Sequence, residues 1–332
     1  MILLDVLISL ERKIYMRWRD RQGSKNVQSS SGRAPRGNGG FGRGGGRIPL
    51  PIGGLLGGGG GIGLIILLVV FLMLSDGFGG GVAQNNNGVQ PNSSKYEQNQ
   101  DFTGKEGDPQ TAEEMRHFLA VSLKDSEDTW EEIFAKHNSR YNAPTLHTFT
   151  EYVQSGCGGA SKAVGPFYCS LDRTIYIDMS FYSELKNKFG ASGDFTMSYV
   201  LSHEVGHHVQ NELGILEEAH KMMRNVSKKE ANEISVRLEL QADYFAGVVA
   251  KYQDQKGYLS NGDIKEAITA AQAIGDDVIQ KKAQGYVVPE NFTHGSAAQR
   301  MYWYKLGFEH GDLEHGDTFS MSFSELQEKV SR

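Results

Sequence analysis

Cysteine is scarce in this sequence, which has only Cys157 and Cys169 among its 332 residues. The two enclose eleven residues, from Gly158 to Tyr168, a spacing that does not fit a Cys-x-x-Cys metal site. In an oxidising compartment they could form a disulfide that closes a short loop and contributes about 3 kcal/mol. Two unrelated buried thiols are the alternative, so the pair is a disulfide candidate and not a metal-site candidate.

Charge is absent from another stretch, because no Asp, Glu, Lys or Arg occurs between Ile48 and Leu74. The apolar and glycine residues 55–74 suffice to cross a bilayer core of about 30 Å as a helix. The preceding residues 1–47 hold ten Lys/Arg against three Asp/Glu. The positive-inside rule then predicts a single-pass membrane protein with a cytoplasmic N-terminus and a periplasmic or extracellular C-terminal domain. A cleaved signal peptide and a buried core helix are the alternatives.

These changes in composition predict four parts. We expect a disordered, basic, Gly/Arg-rich tail over 1–47, a transmembrane segment over 48–76, a flexible linker over 77–110 and a folded domain over 111–332. The tail also resembles Arg/Gly segments that bind RNA. A tail that sets membrane topology explains its charge equally well, so we expect no nucleic-acid partner.

The strongest chemical signal is the run His203-Glu204-Val205-Gly206-His207. On a helix, residues four apart share a face, so His203 and His207 can bind one metal ion together. Glu204 lies beside them and could activate a water on that metal without being a ligand. His208 points about 100° away around the helix and is not expected to be a ligand.

A second segment, Ser235–Ala250, supports this interpretation because it reads as an amphipathic helix that carries Glu239 and Asp243. A catalytic zinc ion takes three protein ligands and leaves one position for water. His203, His207 and Glu239 therefore predict a site for one Zn²⁺. Asp243 is spaced to accept a hydrogen bond from a ligating histidine. Surface histidines and a solvated Glu239 are the alternative interpretation.

The order His-Glu-x-x-His and then Glu-x-x-x-Asp is the ligand layout of the gluzincin peptidases. It predicts an α+β fold, a mostly helical zincin-like domain with a small β-sheet. The helices are expected at about residues 111–123, 128–137, 197–213, 235–250, 264–283 and 296–308.

One strand is predicted near the active helix, where polar and apolar residues alternate over 173–179. In zincin folds an edge strand next to that helix receives the substrate backbone. The candidates for this role are Thr174, Ile175, Tyr176 and Ile177. A purely structural strand is the alternative.

Several motifs together resemble the neutral zinc metallopeptidases of bacteria over most of the chain. They are Met16-Arg-Trp-Arg-Asp-Arg-Gln22, Ser155-Gly-Cys-Gly-Gly159, Val164-Gly-Pro-Phe-Tyr-Cys169, Ser202–Gln210, Arg237–Asp243 and Thr293–Arg300. The resemblance implies a single-span, zinc-dependent peptidase. The last motif is also similar to a Thr-His-Pro-Pro…Arg run of gluzincins related to CaaX-processing peptidases.

That second similarity implies that His294 or Arg300 reaches the cleft, so His294 joins Glu204 as a catalytic candidate. His294 could instead be a surface residue before a helix cap, and Arg300 could pair with an acidic neighbour.

The predicted function is a membrane-anchored zinc metallopeptidase, an endopeptidase, with Glu204 as general base. Its partners would be a polypeptide substrate in the cell envelope and the lipid bilayer. A catalytically silent zinc-binding adaptor or chaperone-like protein is the alternative, although the intact Glu204 argues against it. Amide hydrolysis on peptidoglycan cross-links remains open, because it would use the same zinc chemistry.

Overall fold

The computed structural model describes residues 16–32 and 107–331, which form an α+β fold with nine α-helices and one small mixed sheet. The helices are α1 (Ala112–Lys136), α2 (Phe181–Phe189), α3 (Asp194–Glu212), α4 (Ile215–Met223), α5 (Lys228–Gln255), α6 (Asp263–Ala273), α7 (Asp276–Gln284), α8 (Ala297–His310) and α9 (Phe323–Glu328). The strands are β1 (Val27–Gly32), β2 (Thr145–Ser155), β3 (Gly158–Ser161), β4 (Phe167–Cys169) and β5 (Thr174–Asp178).

One continuous helix, α1, replaces the two helices predicted over residues 111–137. It begins after Thr111, whose hydroxyl accepts a hydrogen bond from the N–H of Glu114 at 3.1 Å. The polar stretch that predicted a break contains Asp125, which is buried and forms an ion pair with Arg21. The stretch contains no glycine or proline, and its buried charge has a partner, so the helix continues through it.

The predicted helix over 264–283 is divided into α6 and α7 at Gly275. A Cβ atom at Gly275 would lie 2.3 Å from the backbone nitrogen of Ala297, so only glycine permits this close approach. The approach brings the first residue of α7, Asp276, next to the loop before α8, where its N–H donates to the carbonyl of Gly295 at 2.9 Å.

The sheet has the strand order β1-β2-β5-β4, with β3 paired antiparallel to β2. β5 runs parallel to β2 on one side, and its residues Thr174, Ile175 and Tyr176 pair with β4 on the other. All five residues of β5, including Ile177, are buried. The predicted edge-strand role is therefore wrong, and the alternating pattern did not report burial either, because the pattern of one strand does not show which elements cover its faces and edges. The strand that borders β5 on the side of α3 is β4.

The N-terminal segment 16–32 packs against the C-terminal part of the chain. Met16 and Trp18 are buried in the main core, and the indole N–H of Trp18 donates to the carbonyl of Gly107 at 3.3 Å. β1 pairs in parallel with β2 from Val27 to Gly32. This part of the predicted disordered tail is therefore folded into the domain.

These contacts overturn the predicted membrane arrangement. A single crossing within residues 48–76 would place residues 16–32 and residues 107–331 on opposite sides of a bilayer, yet the two share one core. Within those described ranges, no helix combines the length and apolar character needed to span a bilayer. The predicted single-pass localisation is therefore wrong. Residues 48–76 themselves, and the rest of the predicted tail and linker outside 16–32 and 107–110, lie outside the described residues.

The core of the helical part is a close crossing of α3 and α5. Gly206 in α3 lies against Ala242 in α5, and a Cβ atom at Gly206 would be 2.9 Å from the Cα and carbonyl oxygen of Ala242. The missing side chain lets the two helices approach closely. Because His203 and His207 flank Gly206 while Glu239 and Asp243 flank Ala242, this contact sets the two halves of the candidate site face to face.

Candidate metal centre

Three potential metal ligands meet where α3 crosses α5. Ligand atoms of His203, His207 and Glu239 all lie within 4.8 Å of one another, and all three residues are buried. The Nε2 atom of His203 is 3.1 Å from Oε2 of Glu239, and the Nε2 atom of His207 is 3.5 Å from Oε1. The four-residue spacing on α3 points both imidazoles towards the same carboxylate.

Hydrogen bonds orient both imidazoles. The Nδ1 atom of His203 is 2.8 Å from Oδ1 of Asp243, as the sequence predicted, and Nδ1 of His207 is 2.9 Å from Oε1 of Gln210. A carboxylate or amide oxygen accepts, so each Nδ1 carries the donated hydrogen. Each Nε2 atom is thereby turned towards Glu239, which is the arrangement that a metal-binding histidine needs.

The position of Gln210 was not predicted, although it lies one turn after His207. Its amide nitrogen donates to the carbonyl of Leu238 at 2.7 Å and to Oε1 of Gln241 at 3.1 Å. These bonds to α5 fix the direction of the Gln210 side chain. The only sequence signal for it was the three-residue spacing from His207, which is common in helices.

The environment of Glu239 fits a bound cation. Its Oε1 atom is buried without a hydrogen-bond partner, and a buried unpaired carboxylate oxygen is costly. Burial lowers the pKa of His203, but the carboxylates of Asp243 and Glu239 outweigh it and raise the pKa to about 9. The carboxylates that favour a proton there also favour a metal ion. Two imidazole nitrogens and one carboxylate are a donor set that catalytic zinc uses.

Glu204 adjoins these ligands in the sequence and lines a cavity with His203, His294 and Arg300. Burial raises the pKa of its carboxyl group, although the neighbouring imidazoles act in the opposite direction. A carboxylate with a raised pKa is a stronger base and suits proton transfer near neutral pH.

His294 is buried and faces the same cavity, so the interpretation of a surface residue before a cap is wrong. Its Nδ1 atom is 3.1 Å from Oδ1 of Asp276, and its Nε2 atom is buried without a partner. Burial lowers the pKa of His294, but the carboxylates of Asp276 and Glu239 outweigh it and raise the pKa. Because Nδ1 faces the carboxylate of Asp276, Nε2 carries a hydrogen when the ring is protonated and can then donate it to a substrate oxygen.

Asp276 is a residue of the site that no sequence motif predicted. Its Oδ2 atom accepts from the backbone N–H groups of Thr293, His294 and Gly295 at 2.7, 2.7 and 3.1 Å. It thus fixes the whole loop that carries His294. As the first residue of α7 it had only one sequence signal, that of an acidic residue at a helix start.

Arg300 pairs with the buried carboxylate of Asp243. Its Nε donates to Oδ2 at 2.8 Å and its Nη2 to Oδ1 at 3.0 Å. The hydroxyl of Tyr199 also donates to Oδ1, at 2.6 Å. Burial raises the pKa of Asp243, but Arg300 and His203 outweigh it and lower the pKa to about 2. Asp243 is therefore a stable anion that accepts a hydrogen bond from His203. Arg300, which was predicted to reach the cleft, mainly pairs with the carboxylate of Asp243.

His208 faces away from the ligands, as predicted. Its Nδ1 atom is 2.9 Å from the hydroxyl of Tyr168 in β4, and its Nε2 donates to the carbonyl of Asn142 at 2.6 Å. Burial lowers its pKa to about 4. His208 therefore ties α3 to the sheet as a neutral side chain.

The two cysteines, Cys157 and Cys169, form a disulfide. Because Cys169 is the last residue of β4, the bond ties the β2–β3 turn to the strand beside α3. Two further groups of potential metal ligands occur within the described residues. One is His310, Asp312 and His315, of which both histidines are exposed, and the other is Asp194, Asp263 and Glu266.

The chain matches a family model described as "Putative neutral zinc metallopeptidase" over residues 16–319. It is 40% identical over 310 residues to the uncharacterized protein YpfJ of Escherichia coli K12. That alignment covers 92% of this chain and 100% of YpfJ. It is 45% identical over 191 residues to the uncharacterized protein Rv2575 of Mycobacterium tuberculosis, which covers 54% of this chain and 64% of that protein. No solved structure matches the chain significantly.

Proposed function

Because the chain belongs to this family of neutral zinc metallopeptidases, we propose that it is a zinc-dependent peptidase that hydrolyses internal peptide bonds of polypeptides. The observation that carries the proposal is the meeting of His203, His207 and Glu239 in a buried group beside Glu204. A structural zinc site usually has four protein ligands, whereas this group has three. Three ligands and an adjacent carboxylate favour catalysis over a purely structural role.

The three ligands would hold zinc, which when bound supplies a Lewis acid that polarises the scissile carbonyl and activates water. Glu204 takes a proton from the attacking water as general base, so the C–O bond forms without a free hydroxide in solution. Glu204 then returns that proton to the amide nitrogen as the C–N bond breaks. The amine therefore leaves in its neutral form.

His294 would stabilise the negative charge that develops on the carbonyl oxygen. Its Nε2 atom has no other partner, and Asp276 on the opposite side of the ring holds it towards the cavity. Both ring nitrogens donate when the imidazole is protonated, which the raised pKa favours. A hydrogen bond that strengthens as the oxyanion forms lowers the activation barrier.

Two variants of the full-length chain separate zinc binding from turnover. Glu204→Gln should keep zinc and lose peptide cleavage by about 10²- to 10⁴-fold, since only the general base is removed. Glu239→Ala should lose zinc as well as cleavage. Both are measured by zinc analysis after dialysis and by mass-spectrometric cleavage of a peptide library.

Two controls make the comparison specific. Glu217→Gln changes an exposed glutamate of α4 and should alter neither zinc content nor cleavage. His315→Ala in every background removes the surface group His310, Asp312 and His315 as a second source of bound metal. Full cleavage by Glu204→Gln, or a zinc-loaded wild type that cuts no peptide, would contradict the proposal, and the second result would favour the catalytically silent zinc protein.

A further inference from the structure

A small cavity of about 60 Å³ opens beside the candidate metal centre. His203, Glu204 and His294 form one wall. The remaining wall is mostly apolar and comes from well-separated parts of the chain, namely Pro166, Phe181, Phe189, Val200, Ile274 and Ile279. The volume corresponds to a few water molecules, so it suits one side chain and not a folded partner.

The charged residues of the cavity wall are largely engaged with one another. The guanidinium of Arg300 is bound to Asp243 and donates to the hydroxyl of Tyr199 at 3.2 Å. Asp276 is bound to His294 and to the backbone of its loop. No unengaged Lys or Arg is found among the described lining residues. An acidic side chain would thus face the carboxylate of Glu204 and would compete with the substrate oxyanion for His294.

The apolar wall is held in place by contacts between α2 and α7. The ammonium group of Lys282 in α7 donates to the backbone carbonyl of Lys188 and lies 5.5 Å from the ring centroid of Phe189. Ile279, one turn before Lys282, is 6% exposed. The cavity is therefore formed before any ligand arrives, which reduces the entropy lost on binding.

We propose that this cavity binds a large apolar side chain of a residue next to the scissile bond, so that the substrates are polypeptides cut beside leucine, isoleucine, methionine or phenylalanine. The inference rests on the proposed function, because it places the reacting carbonyl between Glu204 and His294. Burial of the apolar side chain holds the neighbouring peptide bond at the site of reaction.

The first test is cleavage of a peptide library by the zinc-loaded full-length chain, with kcat/KM for single peptides that differ at one position. Large apolar residues at one of the two positions flanking the cut should exceed alanine by about tenfold or more and aspartate by a larger factor. Cleavage without such a preference would overturn this inference while leaving the proposed function intact.

A matched pair of variants links the preference to the cavity. Ile279→Phe fills the space and should reduce the ratio of phenylalanine to alanine peptides by about tenfold or more. Val278→Phe makes a similar change at a neighbouring position that is 37% exposed and outside the cavity, and should keep the wild-type ratio. If both variants retained the wild-type ratio, the cavity would not be the specificity site.

Two further measurements cover a failure of folding or of turnover. Phe189→Ala enlarges the cavity from a half-buried position and should shift the preference towards bulkier side chains, in case Ile279→Phe unfolds. Zinc-loaded Glu204→Gln should bind phenylalanine peptides more tightly than the matching aspartate peptides in calorimetry. If the variant preferred phenylalanine peptides but the wild type cleaved no peptide, the proposed function alone would be contradicted. If the variant bound both peptides equally, the apolar cavity would not select the side chain and the present inference would be contradicted.

Discussion

The two walls of the candidate site differ in how the chain builds them. The metal-ligand wall comes from two helices, α3 and α5, and each contributes residues four apart. The cavity wall combines residues from the loop before β4, from α2, α3, α7 and α8, and from the loops before α7 and α8. The candidate metal ligands thus follow local spacings within two helices, whereas the apolar lining combines distant segments that meet only in the fold.

The largest expected effect comes from Asp243→Asn, because Asp243 contacts both His203 in the metal-ligand wall and Arg300 in the cavity wall. This change leaves the 2% exposed Arg300 without its anion, which should destabilise the fold by about 3–5 kcal/mol. It also replaces the carboxylate partner of His203 by a neutral amide and should weaken zinc binding by about 10- to 100-fold. Urea unfolding with a chelator measures the first effect, and competition with a zinc-binding dye measures the second.

A second variant shows whether the two effects share one cause. Asp243→Asn combined with Arg300→Gln removes both charges and should recover part of the lost stability without restoring zinc affinity. Equal stability of Asp243→Asn and the wild type would mean that the pair does not link the walls.

The next effect concerns the packing of residues 16–32 against the main core, which is also a contact between distant parts of the chain. Trp18→Ala should lower the free energy of unfolding by about 3–5 kcal/mol, because the indole is 2% exposed within the main core. Arg17→Ala, at an exposed neighbouring position, should have little effect. Urea unfolding of the full-length chain measures both, and identical stabilities would show that this segment does not belong to the domain.

The smallest effect concerns His208, which follows the candidate ligand His207 in α3 but contacts Tyr168 and Asn142 outside the site. His208 has a pKa lowered by burial from 6.5 to about 4, so between these values the unfolded chain binds a proton that the folded chain does not. Stability should therefore fall on acidification from about pH 7 to pH 4, by up to about 3 kcal/mol for this group. His208→Gln should reduce that pH dependence.

Unfolding of the wild type and His208→Gln by urea at several pH values, with chelator present, measures this difference. The comparison removes contributions that the two proteins share, such as those of His203. Parallel stability curves for the two proteins would contradict the assignment of a neutral His208.

The metal-ligand wall could be predicted from the sequence, whereas most of the cavity wall could not. The spacings of His203 with His207 and of Glu239 with Asp243 are local, so the sequence alone predicts the group that the structure brings together. Asp276 and Gln210 were not predicted because their roles come from hydrogen bonds to segments distant in the sequence, the loop 293–295 for Asp276 and α5 for Gln210. The apolar cavity combines residues from 166 to 279, and no periodic pattern connects them.

The fold shows the same limit. The Thr111 and Ser296 helix starts were predicted, because capping is local. β5 was taken for an edge strand with one buried face, although all five of its residues are buried and it lies between β2 and β4. The pattern of a single strand does not show which elements cover it. Residues 16–32 were assigned to a disordered tail because residues 1–47 are basic and rich in glycine and arginine, although Trp18 and Arg21 have partners far along the chain.

The most direct test is anomalous diffraction at the zinc edge from crystals of the zinc-loaded full-length chain. One strong peak should lie within about 2.0–2.2 Å of Nε2 of His203, Nε2 of His207 and a carboxylate oxygen of Glu239, with a solvent oxygen beside Glu204. A protein that binds zinc stoichiometrically without a peak between these three side chains would contradict the account.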